Sequence, residues 1–342
     1  MSRHKVLLLC GGQSDEHEVS LSSARSVVDA ARSRFDVVPL VITKDGGLLP
    51  EAASKDALEL GSTSTPRLAQ AANGHLTKFD SGSFDIVFPL LHGPYGEDGT
   101  VQGLLELVKV PYVGSGVLAS AVGMDKLMMK AVFAARGFPQ VRYAQVDRSS
   151  WREAWKRVLA ELADFPMPAF VKPANLGSSV GISRARNHGE LPAAIDEAAR
   201  FDRRIIIEHG LIGARELEVA VLGNELPEAS PVGEIVYRSD FYDYHTKYTE
   251  GEAELIIPAE LPSEVAERCR SLAVESFRAI DGAGLARVDF FYLEDDGTVL
   301  INEINTMPGF TATSMYPKLW QAAGVDYATL VERLLELALE RR

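Results

Sequence analysis

Residues 287–305 constrain the fold more tightly than any other stretch of the chain. They read Arg287-Val-Asp289-Phe-Phe-Tyr-Leu293, a polar turn, then Thr298-Val-Leu-Ile-Asn302-Glu303-Ile-Asn305. Two apolar runs around Glu294-Asp-Asp-Gly297 predict a β-hairpin. Pairing Glu294 with Thr298 around a three-residue loop sets Asp289 opposite Glu303 and Arg287 opposite Asn305. Alternation along the strands then gathers these four side chains on one face, over Phe291 and Ile301. Facing carboxylates repel and lose hydration unless a cation lies between them. Two carboxylates and an amide are hard oxygen donors suited to Mg²⁺ or Mn²⁺. The competing reading is a solvent-exposed hairpin with scattered charges.

Length and charge narrow the setting. A chain of 342 residues has room for about two or three domains. A net charge of −13 argues against nucleic acid or an anionic membrane as partner. No run approaches the apolar length of a membrane span. The short apolar stretch after the basic start is too brief for a signal segment, so a cytoplasmic protein is expected. Cys10 and Cys269 lie far apart without metal-site spacing, and Cys10 ends an apolar run that predicts a buried thiol.

Strands and helices alternate at first. Lys5–Cys10, 35–42 and 85–91 read as strands, with helices over 18–31 and 100–108, which predicts a parallel α/β sheet to about residue 120. Residues 61–83 are turn-rich and predict loop with at most one short strand. Beyond Asp125 helices are expected at 126–136, 151–163 and 263–280. Strands are expected at 169–172, 181–184, 204–208, 216–222 and 233–236. Residues 326–342 form an amphipathic helix with Leu330, Leu334 and Leu337 on one side.

Several segments carry chemistry. Lys172-Pro-Ala-Asn-Leu-Gly177-Ser178-Ser179-Val-Gly181 links two strands by a loop whose backbone N–H groups can approach an anion. It lacks the ending of a Walker motif and resembles a strand–loop–strand flap over phosphates. A plain turn is the alternative. The strand ending at Glu208 leads into a linker whose backbone can meet an adenine edge, and Glu216 can accept from ribose hydroxyls; solvated carboxylates compete with this reading. Lys126 begins a helix and reads equally well as a surface lysine. Gly11-Gly12-Gln-Ser-Asp15-Glu16-His17 follows the first strand, where ligands bind in doubly wound sheets. It lacks GxGxxG, and its acids suit an ammonium group or simply a helix N-terminus. His92 in Leu91-His-Gly-Pro-Tyr-Gly96-Glu-Asp-Gly-Thr100 can orient a carboxylate or serve as a structural loop residue. The aromatic run Phe241–Tyr248 reads as a closing lid that excludes water.

Together these strings resemble the ATP-grasp superfamily, and within it the D-alanine:D-alanine ligases. They occur in the family's order over nearly the whole chain. The resemblance implies three domains: a Rossmann-like α/β domain (1–122), a central ATP-grasp subdomain with the phosphate flap (123–212), and a carboxy-terminal subdomain with metal site and lid (213–342). It implies ATP-dependent joining of two D-alanines through an acyl phosphate, for peptidoglycan precursor synthesis. Asp289, Glu303 and Asn305 would hold two Mg²⁺ (or Mn²⁺). Lys126, Lys172, Ser179, Glu208, Glu216 and Phe291 would bind ATP, with Glu208 and Glu216 at adenine and ribose. Glu16 would take the first ammonium within a Glu16–Ser178–Tyr248 set, and Arg287 with the Gly309 N–H would stabilise the oxyanion. His92, Lys247 and Ser314 would contact substrate, Ser314 at the second carboxylate and Lys247 at the transferred phosphoryl group. Tyr248 favours D-alanine as acceptor, and a homodimer is implied.

Other readings stay open at this point: a ligase joining D-alanine to D-serine or D-lactate, a dinucleotide-binding oxidoreductase, or a nucleotide-binding regulator without turnover. The missing GxGxxG and the acidic first loop speak against the oxidoreductase.

Overall fold

The computed structural model describes residues 3–72, 81–177, 180–237 and 253–341, organised around three sheets. In the first, β1 (Lys5–Gly11) lies between β2 (Asp36–Ile42) and β3 (Ile86–Pro89), all parallel. Val6, Leu8 and Cys10 pack into one core and Leu7 and Leu9 into another, all fully buried. That is the signature of a parallel strand covered on both faces. Around it lie α1 (His17–Ala31), α2 (Glu51–Leu60), α3 (Pro66–Ala71), α4 (Thr100–Leu107) and α5 (Val117–Met124). Gly11 (φ +83°) makes the turn into α1, since a Cβ there would sit 2.3 Å from the Ile42 carbonyl. Helix α3 corrects the expectation of loop over 61–83. Thr65 caps it by accepting from the Leu68 N–H at 3.4 Å, and Pro66 follows at its first turn.

The second sheet has the antiparallel order β4-β7-β5-β6, from β4 (Tyr143–Asp147), β5 (Ala169–Pro173), β6 (Ser183–Ala185) and β7 (Arg204–His209). Helices α7 (Arg148–Glu161) and α8 (Leu191–Phe201) cover one face, packing Trp151, Val158 and Ile195 on Val171, Ile205 and Ile207. Ile206 points the other way, against Leu127 of α6 (Lys126–Ala135) and Tyr143. By alternation Lys172, Phe170 and Glu208 share that second face.

The third sheet runs β10-β9-β8-β11-β12, from β8 (Arg215–Gly223), β9 (Glu228–Tyr237), β10 (Ala253–Ile256), β11 (Gly284–Leu293) and β12 (Thr298–Asn305). Helix α9 (Ser263–Ala279) buries Cys269, Leu272 and Phe277 against Val219, Val288, Phe290 and Ile301. On the opposite face α10 (Met315–Ala322) and α11 (Tyr327–Glu340) cover Ala220, Leu222 and Leu285, in a core shared with Val6, Leu8 and Leu21. Of the leucines expected on the closing helix, Leu330 and Leu334 are fully buried and Leu337 is partly so. The rest of that face, beyond α10, is left for chemistry.

The hairpin reaches the expected pairing by a different route. Arg287 faces Asn305 and Asp289 faces Glu303, but Leu293 pairs with Thr298, so the loop is the four residues 294–297. A bulge then leaves Asn302 unpaired between Ile301 and Glu303, restoring the register. Ile301 consequently pairs with Phe290 and is fully buried under α9. Leu300, not Ile301, lies beside Phe291 on the site face. Among the described residues no helix is long and apolar enough to cross a membrane. Cys10 and Cys269 are buried free thiols.

Candidate active site

The face of the five-stranded sheet beyond α10 is an acidic wall. In β8, Glu216 pairs with Phe291 and Glu218 with Asp289, so both join Asp289 and Glu303 on one face. Arg287 is held there by its own neighbours. Its Nε and Nη2 donate to the two Asp289 oxygens at 2.7 Å each, and Glu218 lies 3.0 Å from Nε. Among the described residues, Arg287 shares this face with Glu216, Glu218, Asp289 and Glu303. Burial, and then the charge of Asp289, pushes Glu216 up to about 7, with Glu303 adding to the rise and Lys172 opposing it.

Among the described residues no three His, Cys, Asp or Glu side chains gather closely enough to hold a metal by themselves. Asp289, Glu303 and Asn305 supply two carboxylates and an amide, and Mg²⁺ ordinarily takes one or two carboxylates and completes its shell with water and phosphate. The donor set and the gathering of carboxylates on one face fit such an ion.

Across the cleft the four-stranded sheet presents a basic wall. Glu208, 3% exposed, is gripped by Lys130 of α6 at 2.7 Å and by Lys172 of β5 at 2.6 Å. Burial alone would raise its pKa, yet the two ammonium groups hold it well below the usual carboxylate range. Burial likewise works against the charge on Lys172, but Glu208, and then Glu303 and Glu216, keep its pKa raised. Both walls therefore lie within electrostatic reach of each other. Lys126 donates to the Leu176 carbonyl at 2.7 Å and so tethers the flap loop. Its helix is capped by Asp125, which also pairs with Arg204.

The substrate end is built from loops. A cavity of about 230 Å³ is lined by Gln13, Ser14, Asp15 and Glu16 from the first turn, Pro94 and Tyr95 from the His92 loop, and Leu176, Gly177 and Val180 from the flap. Glu16 stands where these meet: a Cβ on Gly93 would come within 3.4 Å of its carboxylate, and one on Gly177 within 3.6 Å. His92 is 4% exposed, and its Nδ1 donates to the Met307 carbonyl at 3.0 Å. That bond fixes the ring's tautomer and joins the first-domain loop to the segment after β12. The hydroxyl of Ser14 donates in turn to the His92 carbonyl at 2.6 Å. Past Met307, the Ser314 Oγ lies 3.4 Å from a Cβ built on Gly309, and it accepts from the Thr311 N–H at 3.1 Å. Ser314 also stands at the N-cap position of α10, without a capping bond from its side chain, where N–H groups favour a carboxylate.

The structure thus gathers Asp289, Glu303, Asn305, Arg287, Phe291 and Glu216 on one wall, Lys172 and Glu208 on the other, and Glu16 at a separate cavity. It places Glu208 in an ion-pair cluster, both of its oxygens facing lysines. Ser178, Ser179, Lys247 and Tyr248, with the rest of the Phe241–Tyr248 segment, lie outside the described residues. Sequence reasoning missed Lys130, Glu218 and the bulge at Asn302. Two of these carried a signal: Lys130 sits one helical turn after Lys126, and Glu218 alternates with Glu216 on a strand.

Residues 132–336 match the family model described as D-ala D-ala ligase C-terminus, and residues 5–115 match D-ala D-ala ligase N-terminus. The chain is 55% identical to a D-alanine–D-alanine ligase of Deinococcus radiodurans, over 99% of this chain and all of that one. It is 49% identical to the corresponding enzyme of Geobacillus thermodenitrificans, over 98% and 96%. Among solved structures it resembles the VanG D-Ala:D-Ser ligase of Enterococcus faecalis, with TM-score 0.86 and 32% identity over 98% of this chain and all of that one. It also resembles the D-alanine-D-alanine ligase of Coxiella burnetii, with TM-score 0.81 and 34% identity over all of this chain and 95% of that one.

Proposed function

The chain belongs to the D-alanine–D-alanine ligase family, and on that premise we propose how its residues divide the work of the reaction. It is an ADP-forming ligase of the ATP-grasp superfamily that joins two D-alanines for cell-wall synthesis. Use of ATP and a divalent metal is typical of the family.

Our reading rests on one observation above the rest: Lys172 on one wall acts electrostatically on Glu216 and Glu303 on the other. A ligand that carries anions toward the lysines and cations toward the carboxylates satisfies both. Mg·ATP is that ligand. Asp289, Glu303 and Asn305 would hold two Mg²⁺ (or Mn²⁺), which would supply positive charge to neutralise the phosphates. Lys126 and Lys172, with the flap carrying Ser179, would take the phosphates. Glu216 and Phe291 would meet the nucleoside, and the backbone after Glu208 the adenine edge.

The first D-alanine would place its ammonium at Glu16, in the cavity whose flap side leads into Ser178. Its carboxylate attacks the terminal phosphorus of ATP, forming an acyl phosphate and releasing ADP. The amine of the second D-alanine, held by its carboxylate at Ser314 on the α10 N-terminus, adds to the acyl carbon. Arg287 and the Gly309 N–H would stabilise the oxyanion before phosphate leaves. His92 would steady the substrate loops through Met307. Lys247 and Tyr248 complete the proposal, at the transferred phosphoryl group and beside Glu16. We further assign domains at 1–122, 123–212 and 213–342, a homodimer and a cytoplasmic location. The three-domain division follows the three sheets.

The direct test is phosphate release from ATP with D-alanine present, absent or replaced by L-alanine. Release only with D-alanine is expected, and equal release with L-alanine would sink the substrate assignment. Product analysis with D-serine and D-lactate tests the acceptor, and preferential ester or D-Ala-D-Ser formation would overturn D-alanine. Tyr248→Phe should loosen acceptor choice more than it weakens ATP binding.

A further inference from the structure

We infer that Lys130 is a positioning residue that frees the charge of Lys172 for the nucleotide's phosphates by neutralising Glu208. The inference rests on the Mg·ATP reading above and adds to it a buried residue to which that reading assigns no ligand contact of its own.

Glu208 contributes one negative charge, with a side chain 5% exposed, and two ammonium groups lie against it at 2.7 and 2.6 Å. The cluster therefore carries one surplus positive charge. Exposure decides where that charge is felt. The Lys130 side chain is 1% exposed, while that of Lys172 is 16% exposed and reaches electrostatically to Glu303 and Glu216.

Lys130 is also fully furnished by the protein. Besides Glu208 it has the Asn302 carbonyl at 3.4 Å and the Tyr143 ring, whose centroid is 5.8 Å from its nitrogen. Asn302 is the bulged residue that re-aims Glu303, so one ammonium touches both the partner of the phosphate lysine and the backbone beside a metal ligand. A buried ammonium is costly unless its charge is used. Without Lys130, Glu208 and Lys172 would pair one to one, and that pair would present no net charge to an anion.

The test is calorimetric binding of a non-hydrolysable ATP analogue with Mg²⁺, with adenosine as the uncharged control. Wild type is compared with Lys130→Met and the double variant Lys130→Met/Glu208→Gln, and thermal melting is followed for each. Lys130→Met should bind the analogue about tenfold more weakly, the scale of one lost charge-assisted contact, with adenosine binding unchanged. The double variant removes the opposed charges together, so its ratio of analogue to adenosine affinity should return to within about threefold of the wild-type ratio, adenosine alone reporting any cost of Glu208→Gln at the adenine edge. The KM for ATP, and not that for D-alanine, should move in step.

Native analogue affinity in Lys130→Met, equal weakening of analogue and adenosine, or a double variant with a ratio as low as the single's would each overturn the inference. If Lys130→Met does not fold, the double variant decides alone: a ratio more than about tenfold below wild type rejects the proposal. A wild-type protein that does not bind the analogue at all removes the Mg·ATP reading and this inference with it.

Discussion

The two walls of the cleft carry the same residue type in opposite electrostatic states. On the five-stranded sheet Glu216 is pushed up to about 7, because burial and the nearby Asp289 and Glu303 outweigh the cations in reach. On the four-stranded sheet Glu208 is more deeply buried, yet it is held well below the usual range by Lys130 and Lys172. One wall is short of positive charge and the other has it in surplus. Burial alone does not set the state of a carboxylate; the count of counter-charges in its compartment does. A ligand with metal on one side and phosphates on the other relieves both imbalances.

The largest effect should come from breaking the acidic wall. Glu303→Gln and Asp289→Asn should each lower Mg·ATP-dependent turnover by about a hundredfold or more with the fold intact. Near-normal turnover with an unchanged melting curve would refute the ligand set. Of the two, Glu303→Gln is the cleaner probe, since Asp289 also holds Arg287 through both oxygens.

Breaking the basic wall should cost less. Lys172→Met leaves Glu208 with Lys130, a neutral pair, and should raise the KM for ATP about tenfold or more while the KM for D-alanine stays put. A change confined to D-alanine would place Lys172 elsewhere.

The opposed pKa shifts give a third test in metal-free protein. Glu216 has a folded pKa above its unfolded value, so the folded state holds more protons and this group's contribution falls as pH rises from about 4.5 through about 7. Glu216→Gln should therefore stabilise the metal-free protein at pH 8, by about 1 to 3 kcal/mol. Glu208 has the reverse sign. Its contribution is full above the unfolded value of 4.5 and is lost as pH falls through its depressed folded value. Glu208→Gln should destabilise at pH 8 by about 3 kcal/mol, since two buried ammonium groups lose their counterion. Thermal melts in chelator at pH 5 and 8 read both, and shifts of the same sign would show that the walls do not differ as described.

The smallest effect lies outside both walls. His17 is buried, with Nδ1 against the Gly12 carbonyl at 2.7 Å and Nε2 against Thr63 Oγ1 at 3.0 Å, and burial lowers its pKa. The unfolded chain then binds the proton more readily, so stability should decline as pH falls through about 6.5. His17→Gln should flatten that slope without altering nucleotide binding.

The acidic wall was largely legible in the sequence because its parts are local. Asp289 and Glu303 belong to one hairpin, and period-two alternation carries each to a face. The pairing was reached through two errors that cancel. A three-residue loop was expected where four residues turn, and the bulge at Asn302 went unseen; periodicity cannot reveal an extra residue tucked out of the ladder. Ile301 shows the cost: it lies between the turn and the bulge, where strict alternation predicts the site face and the structure buries it under α9. The basic wall was legible only in Lys172. Lys130 and Glu208 are far apart in sequence and meet because α6 packs on β7's sheet, which no local pattern encodes. The short helix at Pro66 was signalled by Thr65-Pro66 and was obscured by the surrounding Gly and Ser.

The claim that one ligand bridges the two walls is tested most directly by the interdependence of metal and nucleotide. The affinity for a non-hydrolysable ATP analogue, measured with and without Mg²⁺ in wild type and in Glu303→Gln, gives it in four titrations. Mg²⁺ should tighten analogue binding by about tenfold or more in wild type, and that gain should collapse in Glu303→Gln. An equal gain in both proteins would mean that the metal acts on the nucleotide without the acidic wall, and would contradict the account.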